Sequence, residues 1–513
     1  MKLFLIFHIN VCFSSVEENE RAKIVKNCYW PLLNLIEKTK IPLSIEASGY
    51  SLEEINKIDP KFIIKLKYLI KKGLCEFIES GYSQLIGPLV PSKVNFYNLK
   101  NGKKIYKKLL NNVSKVAFVN EQAFSSGLIN NYLTNKYNTI IMDWDNCFKS
   151  NKKIKKKYLY YPQKIISNNK KPINVIWSSS VIFQKFQKYV HGELGIKDYL
   201  SFVKAQDKKY KNSSLCIYAS DLETINYRTK RYKTENILND SEWDRVEKIL
   251  LEFKKRSFEF MNPSSLLKLK SKVSNKNLIF DNPAFPCITK KQDKYNILRW
   301  AVTGRDDNKI NSICWKIYEY FTTRKIKNLE YWKRLCYFWS SDFRTHITNK
   351  RWAKFKKDLN FFAKKFTLKN KKIHIRNKTY LSSLKLSKFD DKITAEGKNL
   401  KIVLNTKRGC SIEKYYDKRL SNSFLFGFVP QGFFDDISKG ADFYTGHQVI
   451  EPLGKHKITD LLKTDVKINK WKNGIIVKSS FKNKIGNFKK FIFFDEINSK
   501  IGIKNEIKIF KNL

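Results

Sequence analysis

Histidine, arginine and closely spaced cysteine are scarce in this 513-residue sequence. Of its six histidines none forms an HxH or HExxH pair. A histidine-rich hydrolytic metal shell is therefore not expected, and neither a metal nor any other cofactor is assigned. Nine cysteines stand at positions 12, 28, 75, 147, 216, 287, 314, 336 and 410. The number is odd and no CxxC occurs, which argues against a disulfide framework or a structural zinc and for a reducing, cytoplasmic setting. No stretch approaches about 18 uncharged apolar residues, so no membrane span is expected. Arginine accounts for 14 of the 100 Lys+Arg residues. Groove and phosphate recognition favour the planar guanidinium fork, so the formal net charge of +53 does not point to a specific nucleic-acid partner. Lysine spread along a chain rich in Asn and Ile fits AT-rich coding, and nonspecific adhesion to polyanions follows from it.

What is present suffices for large cores. Hydrophobic residues make up 42% and aromatics 14% of the residues in this 60.7 kDa chain, so the chain is globular despite its charge and long enough for two or three domains. Short apolar runs at 3–9, 42–47, 75–79, 115–120, 138–143, 173–177 and 214–220 alternate with amphipathic stretches such as 17–38, 60–72, 93–110 and 241–257. Strand followed by helix, repeated, predicts βαβ units and a parallel sheet. Seven such strands predict a barrel over residues 1–260. The first run also has the look of a short signal peptide, but His8 and Asn10 interrupt it and no cleavage site follows cleanly, so it is read as a buried strand. Three prolines, at 263, 283 and 286, fall within 262–288, which is read as a domain boundary. A helical domain over 261–368, packed at the barrel mouth, and an all-β region over 369–513 complete the reading. The last has alternating runs at 373–376, 399–404, 411–415, 465–470, 474–480, 489–494 and 500–508 and is expected to be a β-sandwich. About 140 residues is short for a large sandwich of this kind, which leaves room for truncation.

Parallel βα barrels carry their chemistry at the C-terminal ends of the strands. Those ends read His8 and Asn10, Glu46, Glu76 and Glu79, Glu121, Asp143-Trp144-Asp145, Trp177, and Asp221 with Glu223. Acids close five of seven strands in a chain where bases outnumber acids two to one. Carboxylates accept sugar hydroxyls and tryptophan faces stack on pyranose rings, so the ring suits a neutral polyhydroxylated ligand. Glycosidic hydrolysis needs two carboxyl groups, one to protonate the leaving oxygen and one to attack or to activate water.

The residues at these positions resemble glycoside hydrolase family 57. Lys115-Val-Ala-Phe-Val-Asn-Glu121-Gln-Ala-Phe-Ser-Ser-Gly-Leu-Ile, with Asn138-Thr-Ile-Ile-Met-Asp143-Trp144-Asp145-Asn after it, is similar to the family's third region. Cys216-Ile-Tyr-Ala-Ser-Asp221-Leu-Glu223-Thr resembles the fourth, and the stretch from Gly73 to Pro91 the second. Trp339-Ser-Ser-Asp342-Phe-Arg344-Thr-His346-Ile-Thr is similar to the helical segment that follows the barrel. The resemblance runs in family order over residues 1 to about 365. It implies a distorted seven-stranded barrel, then helices, often then a β-sandwich. It implies a retaining α-glycoside hydrolase or transglycosylase acting on an oligo- or polysaccharide. Glu121 then matches the nucleophile and Asp221 the acid/base, their carboxyls about 5–5.5 Å apart. Asp221 must hold a proton for the first step, through burial or the charges of Glu121 and Glu223. Substrate contacts are expected from His8, Asn10, Glu46 and Glu79, from Asp143, Trp144, Asp145 and Trp177, and from Glu223 and Asp342. Two regions depart from the family pattern. The first reads Phe7-His8-Ile9-Asn10-Val11-Cys12, with one His and no Pro, and the second has Ser83-Gln84-Leu85 where Tyr-Glu-Pro is usual.

Plainer roles compete at each position. Glu121 and Asp221 could be helix caps, His8 a satisfied core histidine, and Asp143 and Asp145 an Asx turn. Trp144 and Trp177 could be core. Asp342, Arg344 and His346 either reach over the barrel mouth or form an internal network, and Phe433–His447 either contacts carbohydrate or packs the sandwich. Lys152–Lys157 reads as a solvated basic loop. Two rival functions remain: a metal-dependent deacetylase, which needs more histidine than His8, and a non-catalytic carbohydrate- or polyanion-binding protein on a decayed barrel.

Overall fold

The computed structural model describes residues 1–150, 154–166, 171–210, 212–227, 242–269, 277–278, 298–301, 305–344, 347–366, 384–389, 391–420, 424–427, 444–450, 458–482 and 486–510. The expected strand at 373–376, His346, Lys152, Lys153 and the segment from Phe433 to Phe443 lie outside them.

All seven strands read from the sequence in the first half are formed. They are β1 Lys2–His8, β2 Leu43–Ala47, β3 Cys75–Glu79, β4 Val116–Phe118, β5 Thr139–Asp143, β7 Pro172–Ser178 and β8 Ser214–Asp221. Their order across the sheet is β8-β1-β2-β3-β4-β5-β7, with every pair parallel. The sheet curls into a half-barrel. Among the described residues no ladder joins β7 to β8. Instead β6 Gln163–Ile166 adds antiparallel to β7, and two-residue strands β9 Glu259–Phe260 and β10 Asn277–Leu278 add to β1 and β6.

Alternation along the strands sorts side chains into two cores. Phe4 and Ile6 of β1, Ile78, Phe118, Ile141, Ile176 and Ala219 form one cluster on the concave face. Leu3, Leu5 and Phe7 point the other way, into a much larger core shared with the surrounding helices. The helix Pro60–Lys71 starts where expected, with the Asp59 carboxylate accepting from the N–H groups of Lys61 and Phe62, a standard N-cap. The 19-residue helix Ser92–Leu110 carries Gly102 against the turn after β3. A Cβ there would stand 2.6 Å from the Gly81 carbonyl carbon.

Residues 1–300 and 328–359 form one compact unit, and 301–327 with 360–513 a second. In the second, Lys385–Phe389, Lys392–Glu396, Leu400–Asn405, Ser411–Asp417 and Phe426–Gly427 make one antiparallel sheet, and Val466–Trp471, Gly474–Lys482, Gly486–Asp495 and Lys500–Ile509 another. Ile393, Ile402 and Leu404 of the first share a core with Ile475, Ile492 and Phe494 of the second, so the two sheets face each other. Within this unit Lys490, 3% exposed, pairs with the buried Asp460 and donates to the Gly409 carbonyl at 2.8 Å. The eight described cysteines are all buried, and no disulfide joins any two of them. No described helix is long and apolar enough to cross a membrane.

Candidate active site

Strand register brings the first three site groups together. His8 ends β1 and continues the inward row of Phe4 and Ile6. Its ladder partners are Glu46 on β2 and Asp221 on β8. His8 Nδ1 contacts the fully buried Glu46 carboxylate, and His8 Nε2 lies 4.0 Å from Asp221 Oδ1. Burial alone would push the imidazole pKa down. The Glu46 carboxylate, through charge and hydrogen bond, and then Asp221 and Glu223 overcome this and raise it from 6.5 to about 10. His8 is thus an imidazolium at neutral pH.

Asp221 faces inward because β8 carries a bulge. Phe4 pairs with Cys216 and Leu5 with Tyr218, so Ile217 is an extra residue. Cys216 and Ala219 lie in the concave cluster, Ile217 and Tyr218 in the helix layer. Strict alternation from Cys216 would have turned Asp221 outward; the bulge shifts the parity by one. Its side chain keeps 34% exposure.

Glu121 follows β4 in a left-handed conformation, φ 50° and ψ 16°, and Gln122 after it has φ 56°. Two consecutive non-glycine residues in this region cost free energy and persist only where their surroundings fix them. Here Asn120 Nδ2 donates to the carbonyls of Ser80 and Ser83 at 3.1 and 3.2 Å. Gln122 Oε1 accepts from the Asp143 N–H at 2.5 Å. Glu121 Oε1 accepts from Ser341 Oγ at 2.9 Å.

Asn10, two residues past β1, ties the remaining acids together. Its N–H donates to Glu223 Oε1 at 2.7 Å and its Nδ2 to Asp342 Oδ1 at 2.8 Å. Its Oδ1 accepts from Ser51 Oγ and the Cys12 N–H. The Tyr29 hydroxyl also donates to Glu223. Burial, then the charge of Asp221, raises the Glu223 pKa, while Tyr29, His8 and the Asn10 N–H pull it back. Asp342 is 3% exposed. Burial raises it from 3.8 to about 6, Asn10 and Ser340 hydrogen bonds oppose this, and the Glu121 charge adds to it.

Four expected contacts, Glu79, Trp144, Asp145 and Trp177, lie elsewhere, whereas Asp143 has the inward parity of Ile141. Glu79 shares parity with Phe77, which packs in the helix layer. It is fully buried there, accepting from the Ser114 N–H at 2.8 Å and the Tyr137 hydroxyl at 2.7 Å and pairing with Lys103 at 3.2 Å. Trp144 and Trp177 are buried against each other, edge to face at 5.2 Å. Trp177 Nε1 donates to Gln163. Asp143 accepts from the Ser180 N–H, and Asp145 from the Val181 N–H and two serine hydroxyls. Both thereby serve the N-terminus of the helix Ser180–Val190. Glu76 accepts from the Ser264 N–H. Four groups were not named as site residues. Gln84, in the departed second region, has Nε2 3.4 Å from His8 Nε2, and its carbonyl accepts from the Ser341 N–H at 2.8 Å. Ser341 stands beside Asp342 in a segment the sequence did flag. Ser51 and Tyr29 carry no sequence signal. Among the described residues no group of three or more His, Cys, Asp or Glu side chains is arranged to hold a metal ion.

These carboxylates and the charged imidazole stand on the C-terminal rim of a curled parallel sheet, the face on which α/β barrels carry their chemistry. The model of glycosyl hydrolase family 57 matches residues 7–279, more than half of the chain, and the chain belongs to that family. Over 82 residues it is 33% identical to Alpha-amylase 1 of Dictyoglomus thermophilum, a stretch covering 16% of this chain and 12% of that amylase. The chain therefore spans far less than two thirds of that relative in the match. Among solved structures, 4-alpha-glucanotransferase from Thermococcus litoralis has a TM-score of 0.55 at 13% identity, covering 100% of this chain and 85% of that one. A family 57 branching enzyme from Thermococcus kodakaraensis has a TM-score of 0.53 at 11% identity, covering 71% and 89%. At these identities the likeness is one of fold.

Proposed function

We propose that the protein is a retaining α-glycoside hydrolase or transglycosylase acting on an α-linked oligo- or polysaccharide, with Glu121 as nucleophile and Asp221 as acid/base. The observation that carries this reading is the bulge-set inward aim of Asp221 beside His8, on the same rim as a half-buried Glu121 whose carboxylate is hydrogen-bonded by Ser341. We take the curled sheet as the family's distorted seven-stranded barrel.

In the first step a Glu121 carboxylate oxygen attacks the anomeric carbon. The glycosidic C–O bond breaks and its oxygen takes the proton from Asp221. In the second, Asp221 removes a proton from water or an incoming sugar hydroxyl, whose oxygen displaces Glu121. Positive charge gathers on the sugar ring in both transition states, so the neighbouring carboxylates Glu223 and Asp342 favour them. The His8 imidazolium supplies an N–H donor for a sugar hydroxyl or for Asp221. Asn10 and Glu46 act as holders of these groups. The Glu79, Asp143, Trp144, Asp145 and Trp177 side chains support the walls. The test is size-resolved product analysis on α-glucans. Glu121→Gln should lower turnover by on the order of 10³-fold or more and Asp221→Asn by on the order of 10²–10⁴-fold. Shorter products establish a hydrolase and longer or branched ones a transferase. Unchanged turnover in both variants overturns the assignment.

A further inference from the structure

A cavity of about 700 Å³ opens on the first unit beside the catalytic rim. None of Glu121, Asp221, His8 or Asn10 lines it. Its walls come from the helices Gly49–Ile58, Ser92–Leu110 and Leu329–Phe338 and from residues 351–358 of the helix that begins at Asn349. The volume lies within the range of pockets that hold small ligands, and a few sugar rings fill it.

The lining chemistry narrows the occupant. Its carboxylates are matched by cations. Glu53 pairs with Lys333 at 2.8 Å, Glu54 with Arg21 at 2.8 Å and Lys57 at 2.6 Å, and Glu18 with Lys354 at 2.7 Å. The cations exceed the carboxylates seven to five, with Arg351 committed to three backbone carbonyls and Lys108 left over, so an anion would meet one open cation and a cation would have to break a pair. Hydroxyl groups need not, because each both donates and accepts and can bridge a carboxylate and its ammonium partner. The floor is aromatic. Half-buried Tyr50 and Tyr337 meet edge to face at 5.0 Å, and Tyr337 lies 4.7 Å from Phe343. Amphipathic phenol rings offer an apolar face to C–H groups and a hydroxyl to the ligand.

We propose that this cavity is a non-catalytic binding site for a neutral polyhydroxylated chain, a stretch of the polysaccharide whose other residues occupy the catalytic rim. The proposal rests on the reading of the protein as a glycoside hydrolase or transglycosylase and adds a preference for polymer over short oligosaccharides. The site adjoins the catalytic one through the chain itself: Phe343 lines the cavity, while Ser341 and Asp342 touch Glu121 and Asn10.

The test compares wild type with Glu53→Gln, which removes a charge and turns one acceptor oxygen into a donor amide, and Tyr337→Phe, which removes a hydroxyl; both keep the side-chain volume. Turnover is measured on soluble amylose and on 4-nitrophenyl α-maltoside. Both variants should raise KM for amylose about three- to tenfold, since a lost hydrogen bond to a ligand is worth up to about 1.4 kcal/mol. The kcat/KM on the small substrate should stay within about twofold, which also reports intact folding. Unchanged amylose KM in both variants of an active wild type overturns the second site and leaves the catalytic reading standing. A wild type that cleaves neither substrate overturns the catalytic reading, and the second site with it.

Discussion

His8 is one imidazole between Glu46 and Asp221, and its charge state has a consequence for stability. Its folded pKa of about 10 stands above the ordinary 6.5, so the folded state binds a proton that the unfolded state releases between those values. The resulting stabilisation is complete below about pH 6.5 and is lost as the pH rises toward about 10. Denaturant unfolding at several pH values should show wild type ahead of His8→Gln at pH 6, with the gap closing by pH 10. A gap independent of pH would mean that His8 is held neutral. This pairing was only half legible in the sequence. His8 and Glu46 each end an apolar run, but their adjacency depends on β1 and β2 lying side by side in parallel register. The same limit explains Glu79. Counting strand ends identifies acids near the rim, yet the face each one takes depends on parity, and Glu79 has the parity of the helix layer.

Two elements position the site, a bulge and a turn. The bulge at Ile217 is invisible in a run of apolar residues, and without it strict alternation would have turned the Asp221 of the motif away from the concave face. The strands themselves were legible, because fully buried parallel strands read as short apolar runs between helices. In the turn after β1, residues 9–16, one side chain gathers three carbonyls. Arg351, 6% exposed, donates to the carbonyls of Cys12 at 2.9 Å, Val16 at 3.0 Å and Phe13. Each buried hydrogen bond to a charged donor contributes on the order of 1 kcal/mol or more, and the carbonyls left unpaired would add a penalty. Arg351→Met should therefore lower unfolding stability by about 3 kcal/mol, read as a fall in the urea midpoint at constant slope. A loss under about 1 kcal/mol would mean that water replaces the guanidinium there. The chain spacing between Arg351 and Cys12 is far too great for sequence pattern to reveal the contact.

At the scale of the whole molecule the sequence conveyed the succession of architectures, from parallel sheet through helices to paired antiparallel sheets. The helical stretch does not behave as one block: residues 328–359 cluster with the parallel sheet and 301–327 with the β region. Amphipathic periodicity marks which face a helix buries and is silent on which core receives it. The net charge of +53 acts on the molecule as a whole. Retention on immobilised heparin should be strong at low salt, fall steeply with added salt and be equal for Glu121→Gln, because counterion release does not involve the site. Retention insensitive to salt would instead indicate a specific anion site.

The Asn10 junction draws on four distant parts of the chain: the exit of β1, Ser51 after β2, Glu223 after β8 and Asp342 beyond the sheet. On a ribosome these parts emerge in that order, separated by more than three hundred residues of synthesis. The sheet can form its ladders well before Asp342 and Ser341 leave the exit tunnel, while Asn10 and Glu121 wait for their partners. On the roles proposed for Glu121 and Asp221, competence for catalysis is a late event in the life of each nascent chain, and a polypeptide released early would carry the curled sheet without its completed rim.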